Sequence, residues 1–138
     1  MIEIKYIRQF KQDLSSPLAS PTKSLYDGLR DIQFVEKCHN LGFRESYALF
    51  VTDHNSIYNA NLQPHENQDV IWNFYRQRGR GTSVRDVLEN GGKGKNINVF
   101  NVDYKIDWQD VMYYEDEMTH KLHLKYNLFS VSAEKKKQ

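Results

Sequence analysis

The opening stretch MIEIKYIRQF alternates: Ile2, Ile4 and Tyr6 fall on one side of an extended chain, and Glu3, Lys5 and Ile7 on the other. This period of two predicts a strand over about Ile2–Phe10 that sets a carboxylate and an ammonium side by side. LSSPLASPTKS, with two prolines, is a polar connector. Ser20 and Pro21 then have the character of a helix N-cap and a first helical residue. Apolar spacing becomes helical from there to Leu41. Leu25, Leu29 and Ile32 make one stripe, and Phe34, Cys38 and Leu41 a second, so the helix is expected to be buried on more than one side. Gly42 stands where such a helix stops. SYALFVTD holds a continuous apolar run of strand length between polar flanks, the pattern of a strand covered on both faces. Strand, long helix and buried strand in succession predict a βαβ crossover, with residues 2–7 and 47–52 as parallel neighbours.

The second half is less regular. His54–Asp69 is polar, rich in Asn, and reads as loop, while VIWNFYRQ (70–77) reads as a short helix, with a strand as the alternative. Thr82–Glu89 suggests another turn of helix, and ENGGKGKN is a cluster of breakers. Ile97–Ile106 alternates with a one-residue slip at Phe100-Asn101, which predicts a strand with a β-bulge. Trp108–Met118 fits neither period, and Leu122–Val131 predicts a last strand. No internal repeat is present.

With 138 residues, 39% hydrophobic and 27% charged, and with nine Tyr, seven Phe and two Trp, the chain suits one globular domain over residues 1–133. The tail EKKKQ, residues 134–138, is expected to be disordered. The single cysteine, Cys38, excludes an internal disulfide and a cysteine-based zinc cluster. No apolar run reaches the length of a membrane span, and the N-terminus lacks the character of a secretory leader, so a cytoplasmic protein without a membrane partner is expected. A net charge of +1 conceals an uneven distribution: Arg76, Arg78, Arg80 and Arg85 crowd one segment, and Lys93 and Lys95 follow. Such a stripe is enough to engage DNA phosphates, because affinity depends on how many are neutralised rather than on net charge. A solvated loop is the other reading.

Glu3-Ile4-Lys5 is the triplet with chemistry in it. In metal-dependent phosphodiester hydrolysis a carboxylate helps to hold Mg²⁺, and a lysine two residues on orients the nucleophile or stabilises the crowded phosphorus. An acidic-x-Lys triplet also arises by chance about once in a chain of 138 residues. Asp103-Tyr104-Lys105 is a second one, and with Asp86 upstream it offers an alternative site. His120 and His123, as H-x-x-H, suit one face of a helical turn, and His54 stands beside Asp53, but no third ligand is near in sequence. The absence of Gly-x-Ser-x-Gly, P-loop and dinucleotide fingerprints disfavours a serine hydrolase or an NTPase.

Taken in order, IEIKY, the connector, the helix KSLYDGLRDIQFVEKCHNLGF and the strand YALFVTD resemble the restriction-endonuclease-like, or PD-(D/E)XK, family and its type II restriction enzyme relatives. There an E-x-K strand precedes a helix of D-x-x-R character and a hydrophobic strand ending in T-(N/D). Asp27, Arg30, Asp31, Ile32, Val35 and Glu36 occupy the helix positions, and Thr52 and Asp53 close the strand. The similarity covers about residues 2–58 and fades through the arginine-rich middle. It implies an α/β fold with a mixed sheet, Mg²⁺-dependent cleavage of DNA, Glu3 and Lys5 as the catalytic pair, and Glu3 as a metal ligand. The family's first aspartate lies on a strand upstream of E-x-K, which has no counterpart here. The resemblance therefore implies the later part of the fold, inactive alone, with the N-terminal part missing. A further acid would come from an upstream portion, from a partner such as a second copy, or from Asp53 at the carboxyl end of the second strand. The rival expectation is a non-catalytic nucleic-acid- or protein-binding module on the same scaffold, which needs the arginines and no metal.

Overall fold

The alternation in IEIKYI becomes β1 (Ile2–Ile7), the first strand of a computed structural model that describes residues 1–8, 21–64, 66–115, 117–118 and 121–131. The expected extension of this strand to Phe10, the connector as far as Ser20, His120 and the tail 134–138 lie outside the described residues. Helix α1 (Thr22–Asn40) begins one residue later than expected, with Pro21 in the N-cap position and no side-chain cap. It closes at Leu41, whose N–H reaches the carbonyls of Lys37 and Cys38, and Gly42 takes φ +115°, a left-handed turn that glycine makes without a Cβ penalty. β2 (Ser46–Thr52) lies parallel to β1, with Ile2 opposite Tyr47 and Ile7 opposite Thr52. The βαβ unit is present as expected.

β3 (Gln109–Glu115) and β4 (Lys121–Val131) complete a mixed four-stranded sheet of order β1-β2-β4-β3, with β4 antiparallel to both its neighbours. Between β2 and β3 lie three short helices, α2 (Asn55–Tyr58), α3 (Ile71–Arg76) and α4 (Val84–Asn90), the first of them inside a stretch expected to be loop. Ser83 caps α4 by accepting a hydrogen bond from the Asp86 N–H.

One face of the sheet carries the core. Ile7, Ala48, Phe50, Phe129 and Val131 pack with Leu25, Leu29, Ile32 and Val35 of α1 and with Phe74 and Tyr75 of α3. Phe50 stacks on Tyr75 at 5.9 Å and meets Phe129 edge-on at 4.8 Å. Gly28 lets α1 approach this closely, since a Cβ there would collide with the Tyr75 hydroxyl, which donates to the Leu25 carbonyl at 2.7 Å.

Burial corrects two expectations. Helix α1 buries one broad face rather than two, and Phe34 and Leu41 are exposed at 49% and 83%. β2 is not covered on both sides: Ser46, Ala48, Phe50 and Thr52 are buried, but Tyr47, Leu49 and Val51 are only half-buried. They belong to an open face shared with Ile2, Ile4 and Tyr6 of β1 and Leu128 of β4, all exposed.

The expected strand at Ile97–Ile106 does not form. The alternation is real in burial, since Ile97, Val99, Tyr104 and Ile106 are buried and Asn98, Phe100, Asp103 and Lys105 are exposed. Its backbone N–H groups are satisfied differently. Asn98 N–H donates to Gln33, those of Phe100 and Asn101 to Glu36, that of Asp103 to Asn101, and, just past the segment's end, that of Asp107 to Asn127. Side-chain acceptors replace a strand ladder, and the segment packs on α1 as irregular chain.

Candidate functional site

The pleat of β1 directs Glu3 and Lys5 to the side on which α1 lies, because Glu3, Lys5 and Ile7 share a face with Ala48, Phe50 and Thr52. The helix crossing that face brings Asp31 to Lys5, with Oδ2 3.9 Å from Nζ and both side chains one-quarter exposed. Burial pushes the Asp31 carboxyl above its ordinary range, Lys5 draws it down, and the charges of Glu3 and Asp27 push it further up. Glu3, Lys5 and Asp31 are therefore one electrostatic group. Asp27 is tied one turn away to Arg30 at 2.8 Å. Of the other helix positions in the resemblance, Ile32 and Val35 are core, and Glu36 is spent on holding the 97–106 segment.

Asp53 follows Thr52 at the carboxyl end of β2, past the register that sets Glu3 opposite Ala48 and Lys5 opposite Phe50, and its charge acts on Tyr6, His54 and Tyr58. The acid that the fold sets against Lys5 is thus Asp31, whose sequence signal was its place in D-x-x-R-D. Among the described residues, no three His, Cys, Asp or Glu side chains converge so as to hold a metal ion.

The basic stripe divides. Arg76 points inward and is 5% exposed. Its Nε donates to the Ser56 carbonyl at 2.6 Å, Nη1 donates to Gln68 Oε1 at 2.9 Å, and the guanidinium lies over the Trp72 ring at 5.1 Å. This corrects its expected contact with DNA: the side chain pins α3 to α2 and to the loop between them. Arg78 is half-buried and donates to the Ala60 carbonyl at 2.8 Å. Arg80, Arg85, Lys93 and Lys95 are exposed.

The loops that carry these cations are held firmly. Gly79 and Gly81 take φ of +81° and +85°, and a Cβ on Gly81 would run into Val70. Asn73 donates to the Arg80 carbonyl at 2.6 Å. Asp69 accepts from the Tyr26 hydroxyl at 2.6 Å, the Ile71 N–H at 3.0 Å and the Gly92 N–H at 3.1 Å, which ties the Lys93 loop to α1 and the start of α3.

A polar group missed in the sequence lies on β3 and β4. His123 Nε2 is 2.8 Å from Asp110 Oδ1, Lys125 Nζ is 3.4 Å from the same oxygen, and Lys125 also lies over the Tyr58 ring at 4.9 Å. His123 and Lys125 together hold the Asp110 carboxyl below its usual range. No spacing rule would have found the group, because the sheet register pairs Asp110 with Lys125 from another strand. His123 lies on β4, which corrects the helical reading of H-x-x-H. Asp103 and Lys105 are exposed on irregular chain, so the second acidic-x-Lys triplet has no strand beneath it. No family model, curated protein or solved structure matches the chain.

Proposed function

We propose that the chain belongs to a Mg²⁺-dependent deoxyribonuclease of restriction-endonuclease-like kind, which binds DNA through its exposed cations and carries part of a hydrolytic centre at Glu3 and Lys5. The observation that supports this most is the meeting of Lys5 with Asp31 at 3.9 Å beneath the crossover helix. The acid-x-Lys strand and the helix that follows it set one carboxylate, Asp31, against the Lys5 ammonium, and the charge of Glu3 also acts on Asp31. Glu3 and Asp31 are oxygen donors of the right kind for Mg²⁺, which when bound would activate water and offset charge on phosphate. Lys5 already occupies Asp31, so an ion here would be loosely held, and hydrolysis calls for a further carboxylate from outside the described residues.

Mn²⁺ titrated into the labelled protein should broaden the amide signals of Glu3, Ile4, Lys5 and Asp31, and Glu3→Gln should remove the effect. The chain alone should leave supercoiled plasmid uncut in Mg²⁺ or Mn²⁺. Broadening elsewhere, or none, would count against the site. Cleavage abolished by both Glu3→Gln and Lys5→Ala would mean that the centre is already complete. The firmly held loops around Arg80 and Lys93 favour a second reading, a binding module without hydrolytic chemistry. That reading predicts DNA affinity with no Mn²⁺ effect at Glu3.

A further inference from the structure

β1 is an edge strand: β2 pairs with it on one side, and among the described residues nothing pairs with it on the other. The Tyr47 N–H bonds the Met1 carbonyl at 2.8 Å, so the backbone groups of Met1, Glu3, Lys5 and Ile7 point to β2. Those of Ile2, Ile4 and Tyr6 point outward. Ile2 and Ile4 are also the most exposed apolar side chains of the sheet, at 61% and 62%. A bare apolar edge of this kind is a template for another strand.

We infer that β1 pairs antiparallel with β1 of a second copy, about a two-fold axis through Ile4, joining two sheets into one of eight strands. In this register Ile4 faces Ile4, Ile2 faces Tyr6, and Glu3 faces Lys5 of the second copy, reciprocally. The first two are hydrogen-bonded pairs, which use the outward N–H and carbonyl groups. Glu3 and Lys5 then fall on the narrow pairs, with Cα atoms about 4.5 Å apart, where opposite charges attract best.

Charge also selects the register. Moving the axis to Glu3 would set Glu3 against itself, and moving it to Lys5 would set Lys5 against itself. IEIKYI is therefore self-complementary in one antiparallel alignment and repulsive in those beside it. Each Lys5 would sit between its own Asp31, already at 3.9 Å, and Glu3 of the second copy. The inference goes beyond the nuclease reading and stands whether or not the chain acts on DNA.

Sedimentation of the purified protein tests it. The native chain should run at twice its 16.4 kDa. Glu3→Lys and Lys5→Glu should each weaken dimerisation about tenfold or more, because two reciprocal pairs are inverted at once. An equimolar mixture of the two variants should dimerise again, since an all-basic strand then meets an all-acidic one. Ile4→Pro removes the outward N–H on the axis and leaves the ladder to β2 intact, so it should give a monomer with an unchanged circular dichroism spectrum. A native monomer at every concentration, a dimer that survives Ile4→Pro, or a mixture no tighter than its components would overturn the inference.

Discussion

Glu36→Ala is expected to lower the unfolding free energy by about 3 kcal/mol, read as a fall in the urea midpoint at unchanged slope. Glu36 is 3% exposed and accepts hydrogen bonds from the Phe100 N–H at 2.7 Å, the Asn101 N–H at 3.1 Å and the Tyr104 hydroxyl at 3.1 Å. Truncation leaves three donors without a partner at the contact between α1 and the 97–106 segment. Glu36→Gln keeps an acceptor oxygen and should cost less, about 1–2 kcal/mol. The carboxylate also pushes the Tyr104 hydroxyl pKa well above its ordinary value, behind burial as the larger cause. A loss below about 1 kcal/mol for Glu36→Ala would mean that the segment is held by its apolar residues alone.

Arg76→Ala should cost about 2–3 kcal/mol of stability and leave the DNA affinity of the folded protein unchanged. The substitution orphans the Ser56 carbonyl and Gln68 Oε1 and opens space beside Trp72. Arg76→Lys should recover little, because an ammonium cannot fill the planar fork that bonds two acceptors while stacking on the indole. Thermal melts and duplex binding measured below the melting point separate the two effects. If Arg76→Ala lost affinity as Arg80→Gln is expected to, the buried arginine would be reporting on a contact with DNA.

Where a segment's side-chain period decided its fate, the sequence was readable. β1, α1 and β4 each set one face against the core, and the parallel pairing of β1 with β2 followed from the helix between them, although the unbroken apolar run of β2 hid that only one of its faces is fully covered. β3 was illegible because all seven of its residues are exposed, so no alternation marks it. The 97–106 segment was misread because alternating burial looks like a strand even when Gln33, Glu36 and Asn101 take the backbone hydrogen bonds. At the candidate site, Glu3 and Lys5 could be placed on one face from the pleat alone. Their neighbour Asp31 depended on how α1 lies across the sheet, which strand parity does not encode. Counting arginines found the basic segment but not its orientation, and Arg76 turned inward because Ser56, Gln68 and Trp72 offer it a complete set of partners.

The claim that this chain meets DNA through Arg80, Arg85, Lys93 and Lys95 is tested most directly by the salt dependence of its affinity for a labelled duplex. Each neutralised phosphate contributes about 0.9 to the slope of log K against log salt, so four contacts predict a slope of about −3 to −4. Replacing Arg80 and Arg85 by Gln should reduce that slope by about two and weaken binding equally on unrelated sequences, as backbone contacts do. A slope near zero, or a double variant indistinguishable from the native chain, would contradict the account.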